Sequence, residues 1–130
     1  MDLKGFVSTS LLCLIFATAS IAQSTSEKKG EILRHVVLFK FKDTSSPEDI
    51  NKVEVAFRDL AKKLKVVKDF EWGTNNSPEG LNQGLTHCFL VTFASEKDRA
   101  VYLPHPDHLA FVEILKPHLD KVTVIDYWAR

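Results

Sequence analysis

Tyr102 to His108, reading Y-L-P-H-P-D-H, gathers two imidazoles, a carboxylate and a phenol into seven residues punctuated by two prolines. Pro106 suits the first turn of a helix, where a missing N–H costs nothing. His108 then falls in that turn, at the positive end of the helix dipole, which disfavours imidazolium and keeps the ring neutral and able to accept a proton near neutral pH. A carboxylate on its other nitrogen would fix the tautomer, and Asp126 on the last strand is the candidate. Tyr102 offers a hydroxyl that could donate to a carbonyl or enolate oxygen. The alternative without chemistry is a histidine hydrogen-bonded for structure at a helix entrance. His105, Asp107 and His108 also carry metal-ligating atoms. An i, i+3 histidine pair, however, lacks the spacing of the familiar zinc helix and a clear third ligand, so no metal and no cofactor is expected.

These groups need elements to position them. Ile32 to Phe41 alternates as a strand, with His35, Val37, Phe39 and Phe41 on one side and Arg34, Val36, Leu38 and Lys40 on the other. Ser46-Pro47-Glu48-Asp49 is a helix start, and Val53, Ala56, Phe57, Leu60 and Leu64 form the apolar stripe of a helix from Pro47 to about Leu64. A short strand from Val67 to Asn75 carries Trp72 and runs into a tract of turn formers. Thr86 to Phe93 is a longer strand with His87, Phe89, Val91 and Phe93 on one side and Cys88, expected to be a small buried hydrophobe, on the other. Ser95 caps a short helix to Tyr102. The helix from Pro106 is expected to bury Leu109, Val112, Ile114 and Leu115, with Phe111 on its flank. Lys121 to Trp128 closes the chain with Val122, Val124, Asp126 and Trp128 on one side.

The order β-α-β-β-α-β, its second helix split, fits an α+β, ferredoxin-like plait with a four-stranded antiparallel sheet and helices on one face. Apolar side chains stand on both faces of the strands. A second sheet from an identical subunit is the simplest cover for the other face, which predicts a homodimer whose sheets face one another. Phe39, Phe89, His87 and Trp72 are the candidate contacts for a small ligand.

Composition bounds the partners. The chain of 130 residues carries seventeen basic and seventeen acidic residues, a formal net charge of zero. That balance gives no electrostatic reason to expect nucleic acid or an anionic membrane. Residues 1–22 have the layout of a secretory signal, with Lys4, an apolar run and a small-residue site ending at Ala22, and 23–30 read as a flexible linker to a domain over 31–130. The expected destination is the periplasm or the extracellular medium, without stable membrane association.

The opening Arg34-His35-Val36-Val37-Leu38-Phe39-Lys40-Phe41-Lys42, the Glu71-Trp72-Gly73 step, Gly84-Leu85-Thr86-His87, the Tyr102 to His108 segment and the closing Val124-Ile125-Asp126-Tyr127 together resemble the stress-responsive A/B barrel domain family. The resemblance spans Glu31 to Tyr127. It implies a dimeric α/β barrel of the ferredoxin-like kind. A polyketide-cyclising member of that family has a catalytic histidine that matches His108, a pocket tyrosine that matches Tyr102, a first-strand histidine that matches His35 and an aspartate that matches Asp126. Here the segment departs in carrying Pro104 and Asp107. The implied functions are binding of a small hydrophobic, carbonyl-bearing molecule, cyclisation or isomerisation with His108 as general base, or a purely structural stress-related dimer.

Overall fold

The computed structural model describes residues 31–130, so the expected signal and linker lie outside the described residues. Seven elements follow: β1 (Leu33–Phe41), α1 (Pro47–Lys63), β2 (Asp69–Thr74), β3 (His87–Phe93), α2 (Glu96–Tyr102), α3 (Pro106–Leu115) and β4 (Leu119–Trp128). The strands form one sheet in the order β2-β3-β1-β4, with every neighbouring pair antiparallel.

Local chemistry explains the helix starts. The Ser46 hydroxyl accepts from the Asp49 N–H at 3.1 Å, and the Asp49 carboxylate accepts from the Ser46 N–H at 3.2 Å, a reciprocal cap. That backbone donor and the Ser46 hydroxyl hold the Asp49 carboxyl below its usual range. Ser95 caps α2 one-sidedly, its hydroxyl accepting from the Asp98 N–H at 3.1 Å.

On the helix side of the sheet, alternate residues of β1 and β3 are buried and the aromatic rings interlock. Phe57 of α1 lies 4.6 Å from Phe89 and 4.5 Å from Phe111 between ring centroids, which ties α1 to the sheet and to α3. Phe39, Phe57, Phe89 and Phe93 are almost wholly buried. Burial of this kind supplies most of the drive to fold.

Three expectations need correction. The antiparallel plait forms, but the α/β barrel does not: the sheet is open, with β2 and β4 at its two edges and β3 and β1 between them. Four strands cannot curl far enough to bring those edges together, since a side-chain-filled barrel takes about eight. Cys88 is exposed rather than buried, because it points away from the helices. In α3 the buried pair is Phe111 and Leu115, whereas Leu109 and Ile114 are about half exposed. The helix is turned by its contact with Phe57, which draws Phe111 inward instead of leaving it on the flank.

The helices also stop short of β4. Val122 and Val124 are paired across from Phe39 and Val37 and so point to the helix side, yet they remain 47% and 50% exposed. The helix face is therefore open along this edge, beside Asp126.

Candidate functional site

Tyr102 is the last residue of α2, 1% exposed, and packs against Phe93 at 5.1 Å, His35 at 6.1 Å and His108 at 4.6 Å between ring centroids. Its hydroxyl is buried with no hydrogen-bond partner among the described residues. Burial pushes the phenol well above its ordinary range, so it is protonated and available as a donor.

The turn that follows fixes His108. With α2 ended at Leu103, that residue's carbonyl has no helical successor to accept from. His108 Nδ1 donates to it at 2.8 Å. A carbonyl can only accept, so the proton sits on Nδ1 and the neutral ring carries its lone pair on Nε2. Burial lowers the His108 pKa, an effect the Leu103 bond opposes and the nearby His35 adds to. The result is a neutral imidazole with a basic nitrogen, next to a protonated phenol.

Asp126 is not the partner of His108. In the β1–β4 register it stands across from His35, and His35 Nδ1 donates to Asp126 Oδ1 at 2.6 Å. The other carboxylate oxygen accepts from Arg99 Nη1 at 2.9 Å. His108 thus takes its tautomer from a backbone carbonyl, and the carboxylate orients a second histidine. Arg99 escaped the sequence reading, although it stands three residues before Tyr102 on the same face of α2.

His105 and Asp107 are used elsewhere. His105 is the N-cap of α3, its Nδ1 accepting from the Asp107 N–H at 3.2 Å, and the Asp107 carboxylate accepts from Lys63 of α1 at 2.7 Å. Among the described residues no group of three His, Cys, Asp or Glu side chains is placed to hold a metal.

The four candidate ligand contacts form a second cluster toward the other end of β1 and β3. His87 Nε2 donates to Glu54 at 3.0 Å and its Nδ1 lies 2.9 Å from the Thr86 hydroxyl. The Trp72 and His87 rings are nearly parallel at 6.2 Å, and Phe39 and Phe89 lie in contact beneath them in the core. Glu54 was also missed, though it lies three residues before Phe57 on α1. A cleft of about 510 Å³ on the opposite sheet face is lined by Leu38, Leu81, Leu85, Cys88 and Thr123, and one of about 320 Å³ by Phe70, Trp72, Arg58 and Lys62. Neither reaches Tyr102 or His108.

An open antiparallel plait with a histidine, tyrosine and aspartate gathered at one end of its helix face defines a class of small α+β domains. The Stress responsive A/B Barrel Domain family model matches residues 33–129, and the chain belongs to that family. It is 44% identical over 101 residues to the stress-response A/B barrel domain-containing protein HS1 of Arabidopsis thaliana, covering 78% of this chain and 92% of that protein. It is 26% identical over 98 residues to olivetolic acid cyclase of Cannabis sativa, covering 75% and 97%. Among solved structures, the hydroxynitrile lyase from Passiflora edulis superposes with a TM-score of 0.72 at 28% identity, covering 77% of this chain and 94% of that one. A dimeric ferredoxin-like protein of unknown function from Thermobifida fusca gives 0.65 at 25% identity, covering 78% and 93%.

Proposed function

We propose that this chain binds a small hydrophobic, carbonyl-bearing molecule at the Tyr102–His108 end of its helix face and moves a proton on it. The observation that carries the reading is the buried, unpartnered Tyr102 hydroxyl beside a neutral His108. Leaving such a hydroxyl unpaired costs about 1–3 kcal/mol, which a ligand oxygen accepting from it would offset. His108 Nε2 is the general base, Tyr102 donates to the carbonyl or enolate oxygen, and His35 held by Asp126 assists. Cyclisation and isomerisation are both proton transfers of this type. The relatives named as a cyclase and a lyase are consistent with such chemistry on this fold. A ligand enters along the uncovered Val122 and Val124. The cluster of Phe39, Phe89, His87 and Trp72 lies toward the other end of β1 and β3, with Phe39 and Phe89 sealed in the core, and takes no part in this reading. The test is a panel of small hydrophobic aldehydes, ketones and diketones titrated into wild type and His108→Ala. Binding or turnover that is unchanged by the substitution removes His108 from the mechanism.

A second reading concerns assembly. The sheet face away from the helices exposes Ile125 and Tyr127 beside half-buried Val36, Leu38 and Leu90. We propose a homodimer that covers this face with a second copy, in keeping with the dimeric relative. Export by the leader over 1–22, to the periplasm or the extracellular medium, is part of the same proposal, as is the lack of a nucleic-acid partner, which rests on zero net charge. Among the described residues no helix is long and apolar enough to cross a membrane.

A further inference from the structure

We infer that Arg99 is a positioning residue of this site, acting through Asp126 on His35. The inference rests on the proposed proton-transfer role of the Tyr102–His108 end, and it adds a residue that neither the sequence motifs nor the base-and-donor pair contains.

The geometry is a chain of three groups from three elements. Arg99 on α2 donates to Asp126 Oδ2 at 2.9 Å, and Asp126 on β4 accepts from His35 Nδ1 on β1 through Oδ1 at 2.6 Å. Each carboxylate oxygen therefore has a single charged or imidazole donor. Arg99 also stands 4.0 Å from Glu96, one turn back on α2, a looser contact. With Oδ2 held, the carboxylate plane cannot swing to offer it to His35 or turn out to solvent. His35 is 6% exposed, so its ring has little room to compensate. Asp126 can only accept, which places the His35 proton on Nδ1 and leaves the lone pair of the neutral ring on Nε2, an atom without a hydrogen-bond partner among the described residues.

His35 and His108 are thereby set in the same tautomer by different devices, a clamped carboxylate and a backbone carbonyl. Both lie against Tyr102. Arg99 and Tyr102 are three residues apart on α2, so one helix face delivers both the phenol donor and the clamp. Any shift of α2 would move the donor and release the second imidazole together.

The experiment is two-bond 15N–1H NMR of the imidazole rings in the full chain, comparing wild type with Arg99→Ala, Arg99→Gln and Arg99→Lys. Wild type is expected to show His35 as a single Nδ1–H tautomer with a slowly exchanging, downfield Nδ1 proton. Arg99→Ala and Arg99→Gln should lose that proton signal and mix the tautomers, and Arg99→Lys, which keeps a charged donor, should restore it at least in part. A His35 signature unchanged in both Arg99→Ala and Arg99→Gln would overturn the inference. Arg99→Gln stands alone as the reading if the alanine variant does not fold. The spectra need no ligand, so a chain that shows the tautomer switch yet binds no carbonyl compound would sink the binding proposal and leave the role of Arg99 standing.

Discussion

His108 Nδ1 donates to the Leu103 carbonyl at 2.8 Å, so the residue that ends one helix sets the tautomer of a histidine in the first turn of the next. Pro106 starts α3 at its first position, which puts His108 in the first turn with its ring within reach of the Leu103 carbonyl.

A pH dependence follows from His108. Its folded pKa lies below the ordinary 6.5, chiefly because burial penalises the charged ring. The native state therefore binds fewer protons than the unfolded chain in the window beneath that value, and stability is full above it and lost as pH falls through the folded pKa. Proton-transfer activity should fall over the same acid limb. NMR titration should place the His108 midpoint below 6.5, and a midpoint above it would contradict the buried, neutral base.

Tyr102→Phe separates chemistry from folding. Removing a buried hydroxyl that has no partner should raise stability by about 1–3 kcal/mol, while ligand binding through that oxygen is lost. Urea unfolding is the check: a higher midpoint at constant m agrees. A loss above about 1 kcal/mol would mean that the hydroxyl is already bonded in the free protein.

Asp126→Asn should act in the opposite way. An amide can accept from only one of its two donors, which leaves His35 or Arg99 facing an N–H, and the expected loss is about 1–3 kcal/mol. Thermal or urea unfolding measures it. Stability within experimental error of wild type would argue that the three-group chain is not held in solution.

The sheet face gives a prediction about assembly. Ile125→Glu places a carboxylate in the middle of an apolar face that is exposed in the single chain, so it should not unfold the domain but should shift a dimer toward monomer in sedimentation equilibrium. A wild-type chain that is monomeric at micromolar concentration would remove the dimer outright.

The elements were legible because their signals are local. Ser46-Pro47-Glu48-Asp49 states where α1 begins, and alternation along Leu33–Phe41 states which side of β1 is buried. The pairings that make the site are not local. Nothing in the sequence distinguishes Asp126 facing His108 from Asp126 facing His35, because that choice depends on the register of β4 against β1. Arg99 was invisible for a related reason, since a basic residue on a short helix reads as a solvated one until β4 is placed beside it. The orientation of α3 failed because periodicity gives a stripe but does not say which ring, here Phe57, will meet it. The family resemblance implied a dimeric barrel, and it misled because four strands in the order β2-β3-β1-β4 leave β2 and β4 as separate edges of an open sheet.

The central claim is that Tyr102 and His108 together bind a carbonyl-bearing ligand. Calorimetric titration of one responsive compound from the carbonyl panel into wild type, Tyr102→Phe and His108→Ala tests it most directly. The account predicts that each substitution weakens binding by about tenfold, the worth of one hydrogen bond of roughly 1.4 kcal/mol, with the fold intact. Equal affinity in all three proteins, or no binding by wild type to any compound of the panel, would contradict it.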